Sequence, residues 1–177
     1  MNKLLIIING QGRSGKDTIC KITAKRYKVK NVSAIDPVKK IAAEFGWRGE
    51  KDDKARKMLA DLKQILIAYN DYPFNYIMQN VDEFLGSDEQ IMFAHIRESD
   101  EIEKVVKACA EKGVNVLTLL VKRNDKFFVK KTFGNAADDG VENYPYDLIY
   151  SGNNDTVEFL EKDFNAFFDK NIKPRFN

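Results

Sequence analysis

Residues 3–18 read KLLIIINGQGRSGKDT, a continuous apolar run set directly before ten residues that hold three glycines, an arginine and a lysine. Leu4 to Ile8, closed by Asn9-Gly10, is the pattern of a strand buried on both faces, as central strands of parallel sheets are. The spacing that follows is Gly10, four residues, then Gly15 and Lys16, with Asp17 where serine or threonine is usual.

The chemistry this loop suits is the binding of a polyphosphate. Several negative charges are surrounded by main chain only where backbone N–H groups converge without side chains in the way, and glycine permits both the turn and the close approach. A helix starting directly behind the loop adds unpaired N–H donors and the positive end of its dipole. Gly10, Gly12, Arg13, Ser14, Gly15, Lys16, Asp17 and Thr18 are therefore the candidate nucleotide-binding residues, with Lys16 reaching the outer phosphates. A glycine turn with a solvated lysine is the bland alternative, and it leaves the residue choice after a central strand unexplained.

Outward from the loop, strands and helices alternate. Asp17 to about Lys28 reads as a helix, Asn31 to Ile35 as a second strand, and DPVKKIAAEFGW as a helix capped by Asp36 with Pro37 at its first position, ending near Gly46. Between Lys51 and Tyr69, apolar residues at Ala55, Met58, Leu59, Leu62, Ile65, Leu66 and Tyr69 mark one face of a long amphipathic helix. Gln90 to Ile96 is a third strand, the segment from Ser99 a helix with Gly113 just past its end, and VNVLTLLV a fourth strand. RNDKFFVKKTFG reads as a short basic helix, YDLIYSG as a fifth strand, and Asp155 to Asp169 as a closing helix. Such alternation argues an α/β fold of three layers, a central five-stranded parallel sheet with helices on both faces and a crevice at the strands' carboxyl ends.

At 177 residues the expectation is one domain spanning 1–177. Apolar residues make up 44% and charged residues 32%, with a net charge of +2, the balance of an ordinary soluble domain rather than of a nucleic-acid binder. The opening apolar run is too short for a secretory signal and no stretch is long enough to span a bilayer, so a cytoplasmic protein with no membrane partner is expected. Cys20 and Cys109 both fall on apolar helical faces and read as buried thiols.

SGKDT, with Arg13 just ahead, resembles the loop of the phage-type deoxynucleoside monophosphate kinases and their bacterial relatives, within the adenylate kinase-like P-loop kinases. GKDT also recurs in some phosphomevalonate kinases. The resemblance implies a P-loop NTPase fold with a short lid, ATP with Mg2+ as cofactors, Lys16 and Thr18 on the nucleotide phosphates, and Asp17 as a member of this subgroup's loop rather than a lesion. In that family the third strand often ends in Asp-x-Arg, the acid helping to hold magnesium and the arginine gripping the acceptor. Here the stretch is HIRE: Arg97 keeps the arginine and His95 replaces the acid, leaving Asp17, Asp36 or Glu98 as water-mediated substitutes near the metal. A single histidine at a strand end is more often a hydrogen-bonded structural residue than a base.

The resemblance places the lid at 123–139, where Arg123, Lys126 and Lys130 share a helical face and bring cations onto the transferring phosphoryl group. It places the acceptor site in the insertion 36–80, whose cations are Lys39, Lys40, Arg48 and Arg56; Arg56, one step off the apolar stripe, is the preferred phosphate contact, with Asp36 and Arg97 completing the substrate side. Tyr69, Tyr72, Phe74 and Tyr76 offer stacking faces, although aromatics at this density are more often core. The catalytic set is then Lys16, Arg97 and Arg123. Two readings follow: a kinase moving the terminal phosphoryl of ATP to a phosphorylated small molecule, above all a (deoxy)nucleoside monophosphate, as monomer or homodimer; or a nucleotide-binding regulatory protein that has lost efficient transfer. Dephospho-coenzyme A and other phosphate monoesters are further candidate acceptors.

Overall fold

The computed structural model describes residues 3–123, 140–152 and 156–176. Five strands, β1 (Leu4–Asn9), β2 (Val29–Ser33), β3 (Ile91–His95), β4 (Val116–Arg123) and β5 (Leu148–Gly152), form one sheet. The order across it is β2-β3-β1-β4-β5 and every pairing is parallel. β1 is central, and its residues alternate between two cores. Leu4, Ile6 and Ile8 pack on one face with α1 (Lys16–Ala24) and the closing helix α6 (Val157–Phe167). Leu5 and Ile7 pack on the other with α4 (Tyr72–Gly86) and α5 (Ser99–Glu111). A strand buried on both faces has no reason to alternate polar and apolar residues, which is why LLIII is continuous. This is the expected three-layer α/β architecture of the P-loop NTPases.

The 36–80 insertion is helical almost throughout. α2 (Asp36–Glu44) leads to α3 (Asp53–Asn70), whose N-cap Asp52 accepts the Ala55 N–H at 2.7 Å. α3 and α4 form a hairpin through Asp71, which takes the left-handed conformation (φ 54°) and ends one helix while starting the next. α4 is not anticipated by the sequence reading, because Asn-Asp-Tyr-Pro reads as a loop; Pro73 instead occupies the first turn, where its missing N–H is not needed.

Three local readings are corrected. β2 lies two residues earlier than expected, because this edge strand follows the register of β3, Val29 pairing with Ile91 and Ser33 with His95. Asp36 does not cap α2: Ile35 precedes the helix, and the Asp36 carboxylate accepts the Ser33 N–H at 2.8 Å, pinning the β2–α2 turn. Arg123 is the last residue of β4, paired with Gly152, not the first of a lid helix. Lys126, Lys130 and the remainder of the expected lid, 124–139, lie outside the described residues.

Candidate active site

The glycine loop sits at the carboxyl end of β1 and runs into α1. Its shape depends on glycine at Gly10: a Cβ there would stand 2.3 Å from the Val121 carbonyl oxygen and 2.7 Å from Ser14 Oγ, with φ at 149°. Arg13 (φ 66°) and Gly15 (φ 98°) are both left-handed, and the Ser14 N–H closes the turn on Gln11 O at 3.1 Å. Gly15 is the N-cap residue of α1, with no side-chain cap, so the first-turn N–H groups of α1 are left for the loop's concavity. Ser14 is buried, Gly12, Gly15, Lys16 and Thr18 half-buried, Arg13 and Asp17 exposed.

Lys16 folds back over its own loop, donating from Nζ to Gly10 O at 2.5 Å and Gln11 O at 2.9 Å. Burial, and then the charge of Arg97, lower its pKa to about 8. The Arg97 guanidinium is itself pushed down, first by burial and then, against the pull of Glu98, by Arg56. Arg97, just past the end of β3, is thus within electrostatic reach of Lys16 of the loop and of Arg56 of α3, cations from two distant parts of the chain. Asp17 reaches them too: its charge acts on Lys16, Cys20, His95 and Arg97 alike.

His95 is the chain's single histidine. Burial holds its pKa down to about 4, so the ring is neutral, and Nε2 pairs with Asn31 Oδ1 at 2.8 Å and lies 3.8 Å from Cys20 Sγ. This is a structural histidine, as its position at a strand end suggested. Burial likewise pushes the Cys20 thiol up to about 12, leaving it inert. Asp36 contributes its charge to His95 from the β2–α2 turn.

Two residues that the sequence reading passed over organise these cations. Asn9, 1% exposed, accepts the Gly10 N–H at 2.8 Å and donates to both Arg97 O at 3.0 Å and Tyr146 Oη at 2.7 Å. Lys63 of α3 meets Glu98 at 2.5 Å, in a pair whose side chains are 7% and 17% exposed. Glu98 follows Arg97 directly, so this pair fastens α3 and its Arg56 to the end of β3. Of the aromatics, Phe74 and Tyr76 pack against the core, while Tyr69 and Tyr72 are exposed. Arg123 is half-buried at the end of β4.

A glycine loop that opens onto the uncapped first turn of α1, with Lys16 on it and Arg97 within electrostatic reach, is suited chemically to phosphate oxygens, which take charge-assisted hydrogen bonds from such donors. Among the described residues no cluster of three or more His, Cys, Asp and Glu side chains stands ready for a metal ion. Among them, too, no helix is long and apolar enough to cross a membrane.

Parallel five-stranded topology, the loop after the central strand and its left-handed glycine together define the P-loop NTPase fold. No protein-family model and no curated protein matches the chain. Among solved structures it is similar to TT1252 from Thermus thermophilus, at 15% identity over 97% of this chain and 99% of that one, with a TM-score of 0.51. It is also similar to the Mycobacterium tuberculosis APS kinase CysC in complex with AMPPNP and APS (10% identity, 96% and 99% covered, TM-score 0.46). A third is the thymidylate kinase from Candida albicans (12% identity, 99% and 94% covered, TM-score 0.45). Likeness at these identities is likeness of fold.

Proposed function

We propose that this protein is a phosphotransferase that moves the terminal phosphoryl group of ATP to a phosphate monoester, with a (deoxy)nucleoside monophosphate as the foremost acceptor. The observation that carries the reading is the electrostatic coupling of Arg97 to Lys16 of the loop and to Arg56 of α3. The half-buried Arg97 guanidinium repels Lys16 and is repelled by Arg56, and bound anions relieve that repulsion. In this reading the N–H groups of the loop and Lys16 hold the nucleotide phosphates, Arg56 and Arg97 hold the acceptor phosphate, and Arg123 serves the transferring group from the end of β4.

Mg2+ is held largely by phosphate oxygens and one or two protein carboxylates. Asp17, whose charge acts on four groups around the loop, fits as the carboxylate on that ion, directly or through water. The acceptor class follows from the end of β3. An alcohol acceptor calls for a carboxylate to take its proton, whereas a phosphate with a second pKa near about 6 is already anionic at neutral pH and calls for cations. His95, neutral and paired to Asn31, is no such carboxylate.

The second reading, a nucleotide-binding regulator without efficient transfer, draws on the Lys16 ammonium's engagement with its own loop carbonyls. One assay separates the two: release of ADP at fixed ATP and Mg2+ across a panel of nucleoside monophosphates, dephospho-coenzyme A and phosphomevalonate. Acceptor-dependent ADP release supports the kinase. Protection against thermal unfolding by ATP with no product from any phosphate monoester supports the regulator and overturns the proposal.

A further inference from the structure

α3 carries Arg56, which lies within electrostatic reach of Arg97, yet neither of the two apolar cores takes a side chain from this helix. Leu59, Leu62 and Leu66 are half-buried, and the buried residues of α3 are Ala55 and Lys63. Lysine is seldom buried unless it is paired, and here Nζ meets Glu98 Oε2 at 2.5 Å. The inward anchor of the helix is thus an ion pair rather than an apolar side chain.

Glu98 has another use open to it. It is the N-cap residue of α5, where a side-chain oxygen commonly accepts a first-turn N–H, and it makes no such bond. Its carboxylate goes to α3 instead. Glu98 also follows Arg97 directly, so on the β3 side the pair fixes the arginine's neighbour. On the α3 side Lys63 stands seven residues from Arg56, two turns and about 10 Å along the same face. Arg56 is tied in turn to the start of the helix, its Nε donating to Lys51 O at 3.0 Å, so its position follows that of α3. A further ion pair, Asp71 with Lys104 at 2.8 Å, lies at the far end of α3 with side chains 41% and 40% exposed, and pairs so exposed are worth little.

We propose that Lys63 and Glu98 are a positioning pair for phosphoryl transfer, the contact that sets α3 against the end of β3 and thereby Arg56 against Arg97 around one acceptor phosphate. The proposal rests on the phosphotransfer reading and names what arranges its acceptor side. A buried ion pair adds little net stability, since desolvation offsets the attraction, but it is directional where an apolar contact can slide. On a helix that sends no side chain into either core, that directionality decides where a guanidinium stands, and a displacement of about 1 Å is enough to lose much of a catalytic effect.

The test compares Lys63→Ala, Lys63→Arg and the charge-balanced double variant Lys63→Ala with Glu98→Ala, all in the full chain. Hydrogen exchange reads the fastening without any turnover. The α3 amides are expected to exchange at least about tenfold faster in Lys63→Ala and in the double variant, with those of β1 and α1 unchanged. Kinetics read the positioning, with a nucleoside monophosphate that the parent accepts. In both variants kcat/KM for the acceptor falls at least about tenfold while the Kd for ATP moves less than about threefold, and Lys63→Arg recovers most of the loss. Should Lys63→Ala alone unfold, because it strands the Glu98 carboxylate, the double variant carries both readings. Parental exchange of α3 in the double variant overturns the proposal, since other contacts then hold the helix. So do parental acceptor constants in the double variant, which reduce the pair to a charge balance beside Arg97. Failure of the phosphotransfer reading looks different: the parent itself then releases no ADP with any acceptor, and the proposal falls with that reading.

Discussion

The side-chain amide of Asn9 donates to the Arg97 carbonyl at 3.0 Å while its oxygen accepts the Gly10 N–H at 2.8 Å. One buried carboxamide therefore joins the first residue of the glycine loop to the arginine at the end of β3, and a third bond, to Tyr146 Oη, brings in the segment before β5. Tyr146 passes the chain on by donating to Val141 O at 2.8 Å, and burial pushes its own pKa up to about 12, so it stays a donor.

Asn9→Ala is expected to cost about 1–3 kcal/mol, since it strands a buried N–H and a buried carbonyl without creating a large cavity. Chemical denaturation measures this directly. Asn9→Asp keeps the acceptor for Gly10 but loses the donor and sets a carboxylate oxygen against the Arg97 carbonyl, so it too should destabilise. A variant as stable as the parent would mean that the three bonds contribute nothing.

Lys16 carries a pH signature. Burial and Arg97 lower its pKa from 10.5 to about 8, so between these values the unfolded chain binds more protons than the folded one. Stability should consequently rise with pH through that window, the repulsion among the cations being relieved as Lys16 deprotonates above about 8. A bound polyanion reverses the shift. ATP binding at pH 9 is expected to take up close to one proton and at pH 7 almost none, read from calorimetry in buffers of different ionisation enthalpy. Lys16→Ala should abolish the uptake and most transfer while melting normally. Buffer-independent heats at pH 9 would refute the assignment.

Much of this arrangement was legible because local and global demands coincide. β1 reads as buried on both faces because it is, and the glycine loop follows it because Gly10 has no room for a Cβ against Val121. α4 was hidden because a helix hairpin joined by a single left-handed residue, Asp71, looks in sequence like the loop that Asn-Asp-Tyr-Pro more often forms. Lys63 was hidden for a different reason. On the polar side of an amphipathic helix a lysine is expected in water, and only the packing of α3 against the end of β3 buries it beside Glu98. The same packing leaves Tyr69 outside, on a stripe whose periodicity alone says core. Asn9 gave no signal at all, since its three partners come from residues 10, 97 and 146.

His95 should titrate near pH 4, held there chiefly by burial. Its folded pKa lies below the unfolded 6.5, so the unfolded chain gains the proton first and stability falls as pH drops from about 6.5 to about 4. Since the chain has one histidine, its imidazole proton resonance is unambiguous in NMR. A midpoint near 6.5 would show a solvated ring. His95→Gln should flatten the dependence of melting temperature on pH in that window, and the parent's turnover should show no step near pH 6.5 assignable to a histidine base.

Arg97→Ala separates binding from transfer. Arg97 is half-buried, its carbonyl is held by Asn9, and it lies within electrostatic reach of both Lys16 and Arg56. Arg97 feels the attraction of Glu98 and Asp17 as well as the repulsion of Arg56, so thermal melting of the variant is measured beside its kinetics to separate folding from function. The cost should appear where two phosphate groups must be brought together against their own repulsion, a task for which the loop and Lys16 hold one group and Arg97 with Arg56 the other. The expected outcome is a loss of about 10²-fold or more in kcat/KM for the acceptor, against a change of less than about threefold in the Kd for ATP, because interactions made chiefly with the acceptor and the transition state do not enter nucleotide binding. Arg97→Lys should recover only part of the loss, a point charge replacing a planar fork that grips two oxygens at once. Equal losses in ATP affinity and acceptor turnover would place Arg97 on the nucleotide instead, and intact acceptor constants would remove it from the site.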